Sequence, residues 1–470
     1  MTQHFDAIVI GTGQGGAPLA VRLGENGRRT AVIERGAFGG TCVNVGCTPT
    51  KSYVASARTA HVARHAAAYG VNVTGDISVD LARVKARKDE IIGQSRNGVE
   101  KWLRGAKNVS VFTGHARFTG AHSLHIEARD GQPAQDLDAD EIFINTGTRA
   151  VVPSLPGIER IRYFTNSTLL DLTTLPEHLV IVGASYVALE FAQVFRRFGS
   201  RVTVIVRGER VLTREDADFA KGVQTVLARE GVEFRFGADP ARLEPLDEAS
   251  GTASTAVRIH FAGDASALEA SHLLFATGRR PNTDDLGIEA AGIATDKHGI
   301  IPVDGQLRTN VPGIRAIGDI NGRGAFTHTS YDDYQIVAAN LFGGGKRSVD
   351  DRIMAYAVFV DPPLARVGMS EAEVRKEGRH ALIATMPMSR VGRARERGET
   401  DGFMKALVDA DTKQILGAAI LGIEGDEAIH TFIDIMTAGA PYPTLQYALH
   451  IHPTISELVP TLLDGLKPLV

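Results

Sequence analysis

The sequence predicts an α/β chain with two Rossmann-like nucleotide-binding domains and an α+β C-terminal domain. Three observations carry this reading. A strand–glycine turn–helix unit occurs twice, two further strands end on glycine where the chain would pass between domains, and the pattern changes near residue 348. At 470 residues the chain exceeds what one core organises, so several domains are expected. Apolar residues are 43% and charged residues 23%, the balance of a soluble globular protein. The net charge of -4 leaves no basic footprint for nucleic acid or an acidic membrane surface. No secretory signal and no apolar run of membrane length is present, so a cytoplasmic location is expected.

The first unit is the apolar strand Asp6–Ile10, the turn Gly11-Thr12-Gly13-Gln14-Gly15-Gly16 and an apolar helix. The second is the strand Leu179–Val182, the turn Gly183-Ala184-Ser185-Tyr186-Val187-Ala188 and the helix Leu189–Phe198. Small residues at these spacings allow a tight turn, close approach to a pyrophosphate and close helix–sheet packing, and the helix N-terminus then faces the phosphates. One such turn is a weak sign, but two in the same order are far stronger. Ser185 and Ala188 depart from the glycine pattern, and both are small.

The two units align without a gap at an offset of 172 residues. In the first, the next strand ends on Glu34, an acid placed to accept from ribose hydroxyls. In the second, Val206 takes that position and Arg207 follows, with Arg214 nearby. Loss of the acid beside a guanidinium favours a 2′-phosphate, hence NADPH, with NADH possible. The lesser alternative is that Arg207 merely ends a strand in solvent. The turns Phe143–Gly147, with Thr146 and Gly147, and Phe275–Gly278 resemble one another at the expected crossings. Ala316–Asp319 ends a third strand, where Asp319 is placed to bind polyol hydroxyls.

Cys42 and Cys47 are the whole cysteine supply. A staple across so short a loop constrains the unfolded chain little, and cytosolic disulfides are usually catalytic, so the pair reads as redox-active. Pro49 suits the first turn of a helix read over 50–67, which puts Cys47 at a helix N-terminus where a thiolate is favoured. Lys51 would add positive charge, balanced by Glu190.

The run Gly39-Gly40-Thr41-Cys42-Val43-Asn44-Val45-Gly46-Cys47-Thr48-Pro49-Thr50-Lys51 resembles the active site of the flavoprotein disulfide reductases. The nucleotide units, the Gly318-Asp319 turn and the segment His450-Ile451-His452-Pro453-Thr454-Ile455-Ser456-Glu457 follow in that family's order. The resemblance spans the chain and is closest to a mercuric-reductase-like branch that includes copper(II)-reducing flavoproteins of reactive-chlorine resistance. It implies FAD, with Thr41 and Lys51 near it. It further implies Cys42 as the interchange thiol, Cys47 as the flavin-side thiol and Tyr186 as a gate on the nicotinamide side. His452, oriented by Glu457, would be an acid–base pair that crosses into the partner of a homodimer.

Domains are expected at 1–150 for FAD, 151–270 for the nicotinamide nucleotide, 271–347 completing the flavin site and 348–470 for dimerisation. The implied activity is electron transfer from NADPH through FAD and the cysteines to a soft metal ion, Hg(II) or Cu(II), or to a small disulfide. No permanent metal is expected, and the two cysteines would meet a metal substrate directly. Mercuric reductases carry an extra C-terminal cysteine pair that this chain lacks. The alternatives are a dedicated thiol–disulfide reductase, resembling glutathione reductase or lipoamide dehydrogenase, and a non-catalytic flavoprotein that sequesters metal. Elsewhere, His61 and His65 share a helix face at a metal-capable spacing, and Met386 and Met388 are soft side chains. Arg390, Arg393, Arg395 and Arg397 form a basic run. Solvation or packing is the expected explanation of all of these.

Overall fold

The computed structural model describes residues 2–129, 133–247 and 253–470. Its first sheet runs Val109–Thr113, Thr30–Glu34, Gln3–Ile10, Gln135–Ile144 and Ile314–Ala316, all parallel. Ser123–Ile126 and Ala116–Phe118 extend it as antiparallel strands. Helices cover one face of the parallel strands, and the two antiparallel strands with the segment 286–301 cover the other, so Ala7, Ile8, Val9 and Ile10 are all buried, which explains the unbroken apolar run read from the sequence. The long helix Leu81–Gly105 on this domain starts at Asp80, whose side chain accepts from Arg83 N–H at 3.0 Å.

The second sheet orders Val232–Phe236, Arg201–Val206, His178–Val182 and His272–Phe275, again parallel. The last of these strands lies beyond the expected boundary at 270, because its pairing with His178–Val182 is what closes that sheet. A three-stranded antiparallel sheet of Pro240–Pro245, Val257–Phe261 and Asp264–Ala270 lies beside it. The chain enters and leaves this domain through Thr148–Ala150 and Arg279–Pro281, which pair antiparallel.

The internal repeat holds at atomic level. Gly11 N–H donates to Ile33 O at 2.8 Å, and Gly183 N–H donates to Ile205 O at 3.1 Å, the same contact one repeat later. A Cβ on Gly11 would stand 2.5 Å from Asn145 O, and one on Gly183 would stand 2.3 Å from Ala276 O. Both glycines have positive φ, +99° and +119°, where other residues are strained.

The C-terminal part forms a six-stranded antiparallel sheet: Ala355–Val358, Leu364–Gly368, Ile415–Leu421, Phe403–Asp409, Ala381–Pro387 and Lys467–Pro468. Met386 and Met388 are buried in its core. The cysteine-bearing helix spans Cys47–Arg64, earlier at both ends than the 50–67 expected from Pro49. Proline is tolerated in any position of a first turn, where the N–H groups have no intrahelical partner, so the helix begins ahead of it. No helix among the described residues is long and apolar enough to cross a membrane.

Candidate active site

A cleft of about 1270 Å³ runs from the first glycine turn, past the cysteines, to the C-terminal sheet. At one end Glu34 closes the strand Thr30–Glu34 and is buried. Its Oε2 accepts from Thr12 N–H at 3.0 Å and from Thr12 Oγ1 at 2.6 Å, and its Oε1 accepts from Gly36 N–H at 2.7 Å. A Cβ on Gly13 would fall 2.8 Å from Asn145 Oδ1, and one on Gly16 would fall 2.2 Å from Gly11 O. Asn145 locks the turn: its Oδ1 accepts from Gly16 N–H at 2.9 Å and its Nδ2 donates to Ile317 O at 2.9 Å.

Midway, Asp319 follows a glycine of positive φ and accepts from Thr148 Oγ1 at 2.9 Å. Burial pushes its carboxyl up from the ordinary carboxylate range. Thr146 Oγ1 donates to Asn282 O at 3.1 Å, so the Thr146-Gly147 turn is fixed by the strand returning from the second domain. Gly147 lines the cleft, while Gly278, in the matching turn, is exposed.

Cys42 lies in the short helix Gly40–Asn44, and Cys47 opens the helix Cys47–Arg64. Both are free thiols in this structure. The two sulfurs divide the proton unequally. The hydrogen bond that Cys42 makes to Cys47 is the largest influence on both: with burial it raises the Cys42 thiol, and it lowers Cys47 to about 6. Burial opposes the Cys47 shift, while Thr327 and the Lys51 charge assist it. Thr327 Oγ1 stands 3.2 Å from Cys47 Sγ and opens its own helix, Thr327–Phe342. Two helix N-termini therefore meet at this sulfur. Thr41 lines the cleft beside the pair.

Lys51, one turn beyond Cys47, donates to Glu190 Oε2 at 2.7 Å, and the other Glu190 oxygen accepts from Phe359 N–H at 2.9 Å. Tyr186 begins the helix Tyr186–Phe198 and lines the cleft, its ring 6.1 Å from that of Phe326. Ser185 stands exposed just before this helix without a side-chain capping bond, and Gly183 precedes it at positive φ. Arg207 and Arg214 are exposed, and neither makes a hydrogen bond or ion pair within the described residues.

His452 Nδ1 lies 2.7 Å from Glu457 Oε2. The histidine is 79% exposed while the carboxylate is 11% exposed. His452 lies outside the lining of its own chain's cleft, so one chain does not bring it to Cys42. Tyr447, Leu449 and Ile451, on the same tip, are also exposed.

Asn145 and Thr327 were missed as site residues. Asn145 directly precedes the Thr146-Gly147 turn, and that adjacency was the available signal. Thr327 has none, since its sulfur contact spans 280 positions. The secondary candidates resolve into packing or local structure. His61 and His65 lie with ring centroids 4.2 Å apart and planes tilted by 32°, and they join no three-ligand cluster among the described residues. Arg393 holds Pro453 O at 2.8 Å, and Arg397 pairs with Glu424.

Residues 5–333 match the family described as pyridine nucleotide-disulphide oxidoreductase, and residues 354–463 match its dimerisation domain. The chain belongs to this family. Among relatives of this oxidoreductase, RclA of Escherichia coli K12 is 38% identical, over 98% of this chain and 99% of its own. A solved "Cu(II) complex of HOCl-induced flavoprotein disulfide reductase RclA" superposes with a TM-score of 0.88 at 37% identity, covering 99% of each chain. A dihydrolipoyl dehydrogenase of Cupriavidus necator is 33% identical over 98% of this chain and 97% of its own. A mercuric reductase of Lysinibacillus sphaericus is 29% identical over 95% and 82%. The family implies FAD and a nicotinamide nucleotide. The cleft fits FAD: three glycines leave space that side chains would fill, Glu34 closes one end, and a half-buried carboxylate stands midway at Asp319.

Proposed function

We propose that this oxidoreductase prefers NADPH and passes two electrons through Cys42 and Cys47 to a soft metal ion, Cu(II) or Hg(II), or to a small disulfide. The observation that carries this reading is the unequal thiol pair, a low Cys47 beside a high Cys42, inside the cleft that fits FAD. FAD, when bound, accepts a hydride from the nucleotide and supplies two electrons to the disulfide. Glu34, Asp319 and the Gly11–Gly16 turn would hold it. Splitting the S–S bond takes two electrons and one proton. Cys47 keeps the negative charge, and the proton resides on Cys42. Thr327, Lys51 and the two helix N-termini hold that thiolate.

For a metal ion, Cys42 releases its proton to solvent as the cation binds, and both sulfurs then engage it as thiolates. Reforming the disulfide returns two electrons, enough for one Hg(II) to Hg(0) or two Cu(II) to Cu(I). The RclA relative solved with Cu(II) points to this class of acceptor. The NADPH preference is supported by Val206, buried where the first repeat has Glu34, and by the exposed, unpaired Arg207 and Arg214. A second reading, reduction of a small disulfide, is favoured by the 2.7 Å His452–Glu457 contact. In a homodimer the partner's His452 would take the Cys42 proton, freeing that sulfur to attack, and return it to the leaving thiol.

The test is nucleotide oxidation by holoenzyme with Cu(II), Hg(II), glutathione disulfide or lipoamide, using NADPH and NADH in parallel and Cys42→Ser as control. Cysteine-dependent turnover on metals alone supports a metal reductase. Turnover on a disulfide alone selects the second reading. Turnover that survives Cys42→Ser rejects both.

A further inference from the structure

The segment after Val206 carries Arg207, Arg210 and Arg214 around a tight turn. Leu212, at the centre, is a buried residue with φ +45°, a conformation unfavourable for leucine that its surroundings must enforce. Its N–H donates to Ala184 O at 2.9 Å, so the turn is pinned to the second glycine-type loop. Glu215 N–H donates back to Leu212 O at 2.9 Å, and Arg210 donates to Thr213 O at 3.0 Å.

The side chain of Glu215 leaves this loop and enters the C-terminal domain. It is 4% exposed. One carboxylate oxygen accepts from Arg366 Nη1 at 3.1 Å and the other from the hydroxyl of Tyr356. Arg366 is itself buried, at 7% side-chain exposure. The Tyr356 ring stacks on Phe326 at 5.1 Å and 9°, and Phe326 neighbours Tyr186, so the carboxylate ties the loop to a wall of the cleft. The next acids continue the attachment. Asp216 accepts from the N–H groups of Glu371 and Ala372, both at 3.1 Å, and Asp218 pairs with Lys405 at 2.6 Å.

A buried carboxylate is costly unless paired and hydrogen-bonded, and here every bond it makes crosses to another domain. What those bonds fix is the arginine loop next to it, whose Arg207 and Arg214 project freely into solvent. Holding such a loop in advance lowers the ordering cost of binding.

We propose that Glu215, held by Arg366 and Tyr356, positions the arginine loop for the 2′-phosphate of the nucleotide. It is a positioning residue for nucleotide selectivity. This rests on the NADPH reading above.

The test is direct binding of 2′,5′-ADP and of 5′-AMP to holoenzyme carrying Glu215→Gln, Tyr356→Phe or Arg207→Ala, with KM and kcat for NADPH and NADH alongside. Glu215→Gln is expected to weaken 2′,5′-ADP about tenfold and 5′-AMP far less, with the loss appearing in KM for NADPH rather than in kcat. Tyr356→Phe removes one hydroxyl only, so it tests the same link should Glu215→Gln fold poorly, and it is expected to give a smaller loss in the same direction. Equal weakening of both ligands, or unchanged 2′,5′-ADP binding in both variants, overturns the proposal. Arg207→Ala separates the two levels. Loss of 2′,5′-ADP binding in Arg207→Ala without loss in the Glu215 and Tyr356 variants sinks the positioning role alone. Wild-type 2′,5′-ADP binding in Arg207→Ala sinks the NADPH reading itself.

Discussion

Lys51 Nζ stands 2.7 Å from Glu190 Oε2 and 4.5 Å from the centre of the Phe359 ring. The carboxylate is 2% exposed and the ammonium 33%. The pair joins the cysteine-bearing helix to the helix that begins at Tyr186, linking the cysteine pair to the second nucleotide unit.

Replacing the carboxylate should therefore damage both fold and chemistry. Glu190→Gln leaves the ammonium without its counter-charge, at a cost of about 1–3 kcal/mol given its partial exposure. Thermal unfolding is expected to move to lower temperature, and stopped-flow reduction by NADPH to slow. Unchanged behaviour in both would mean the pair is incidental.

The Cys47 thiol has a folded-state pKa of about 6 against an ordinary 9.0. Since the folded value is the lower, the thiolate's contribution is complete above about pH 9 and is lost as pH falls through about 6. Titrating the dithiol form downward should then bleach the long-wavelength absorbance of the two-electron-reduced holoenzyme near pH 6. Cys47→Ser is expected to abolish that band and Cys42→Ser to retain it. Persistence of the band in Cys47→Ser would reverse the assignment of the two sulfurs.

His452 separates the two candidate acceptors. Disulfide exchange needs a proton delivered to the leaving thiol, whereas a metal ion needs none delivered and itself drives off the Cys42 proton as it binds. His452→Ala is expected to lower turnover with glutathione disulfide or lipoamide by about 100-fold, and turnover with Cu(II) much less. Steady-state kinetics on both acceptors reads this out, and equal losses would contradict it.

Gly11→Ala tests the dinucleotide turn. The new methyl would lie 2.5 Å from Asn145 O at φ +99°, in a turn that cannot widen without breaking the Ile33 contact. A strain of about 1–3 kcal/mol is expected, and the protein should purify largely without flavin. The ratio of flavin to protein absorbance measures this directly.

Much of the architecture could be read from the sequence because its signals are local. The twofold strand–turn–helix unit depends on backbone space at Gly11 and Gly183, and no distant residue can substitute for that. The spacing of His452 and Glu457 likewise lies within one loop. Contacts between distant positions were not readable. Thr327 reaches Cys47, Asn145 reaches Ile317, and Glu215 reaches Arg366 only after the domains pack, and no periodicity marks any of them. The helix start at Cys47 was misjudged by beginning the helix just after Pro49, at residue 50, although a first turn admits proline at several positions. The second-sheet boundary was misplaced for a related reason. His272–Phe275 reads as a strand, but which sheet it joins is decided by its neighbour His178–Val182.

In the proposed homodimer, the separation of His452 from its own chain's cysteines would make the two halves of each reaction centre genetically separable. A chain with Cys42→Ser and a chain with His452→Ala are each inactive on disulfides when paired with themselves. Co-expressed, they assemble mixed dimers in which one centre combines the intact cysteine of one chain with the intact histidine of the other. Random assembly would restore about a quarter of wild-type activity, as the symmetry of a twofold interface requires. Placed together on a single chain, the same two defects leave no complete centre even beside a wild-type companion, since one centre then lacks its cysteine and the other its histidine.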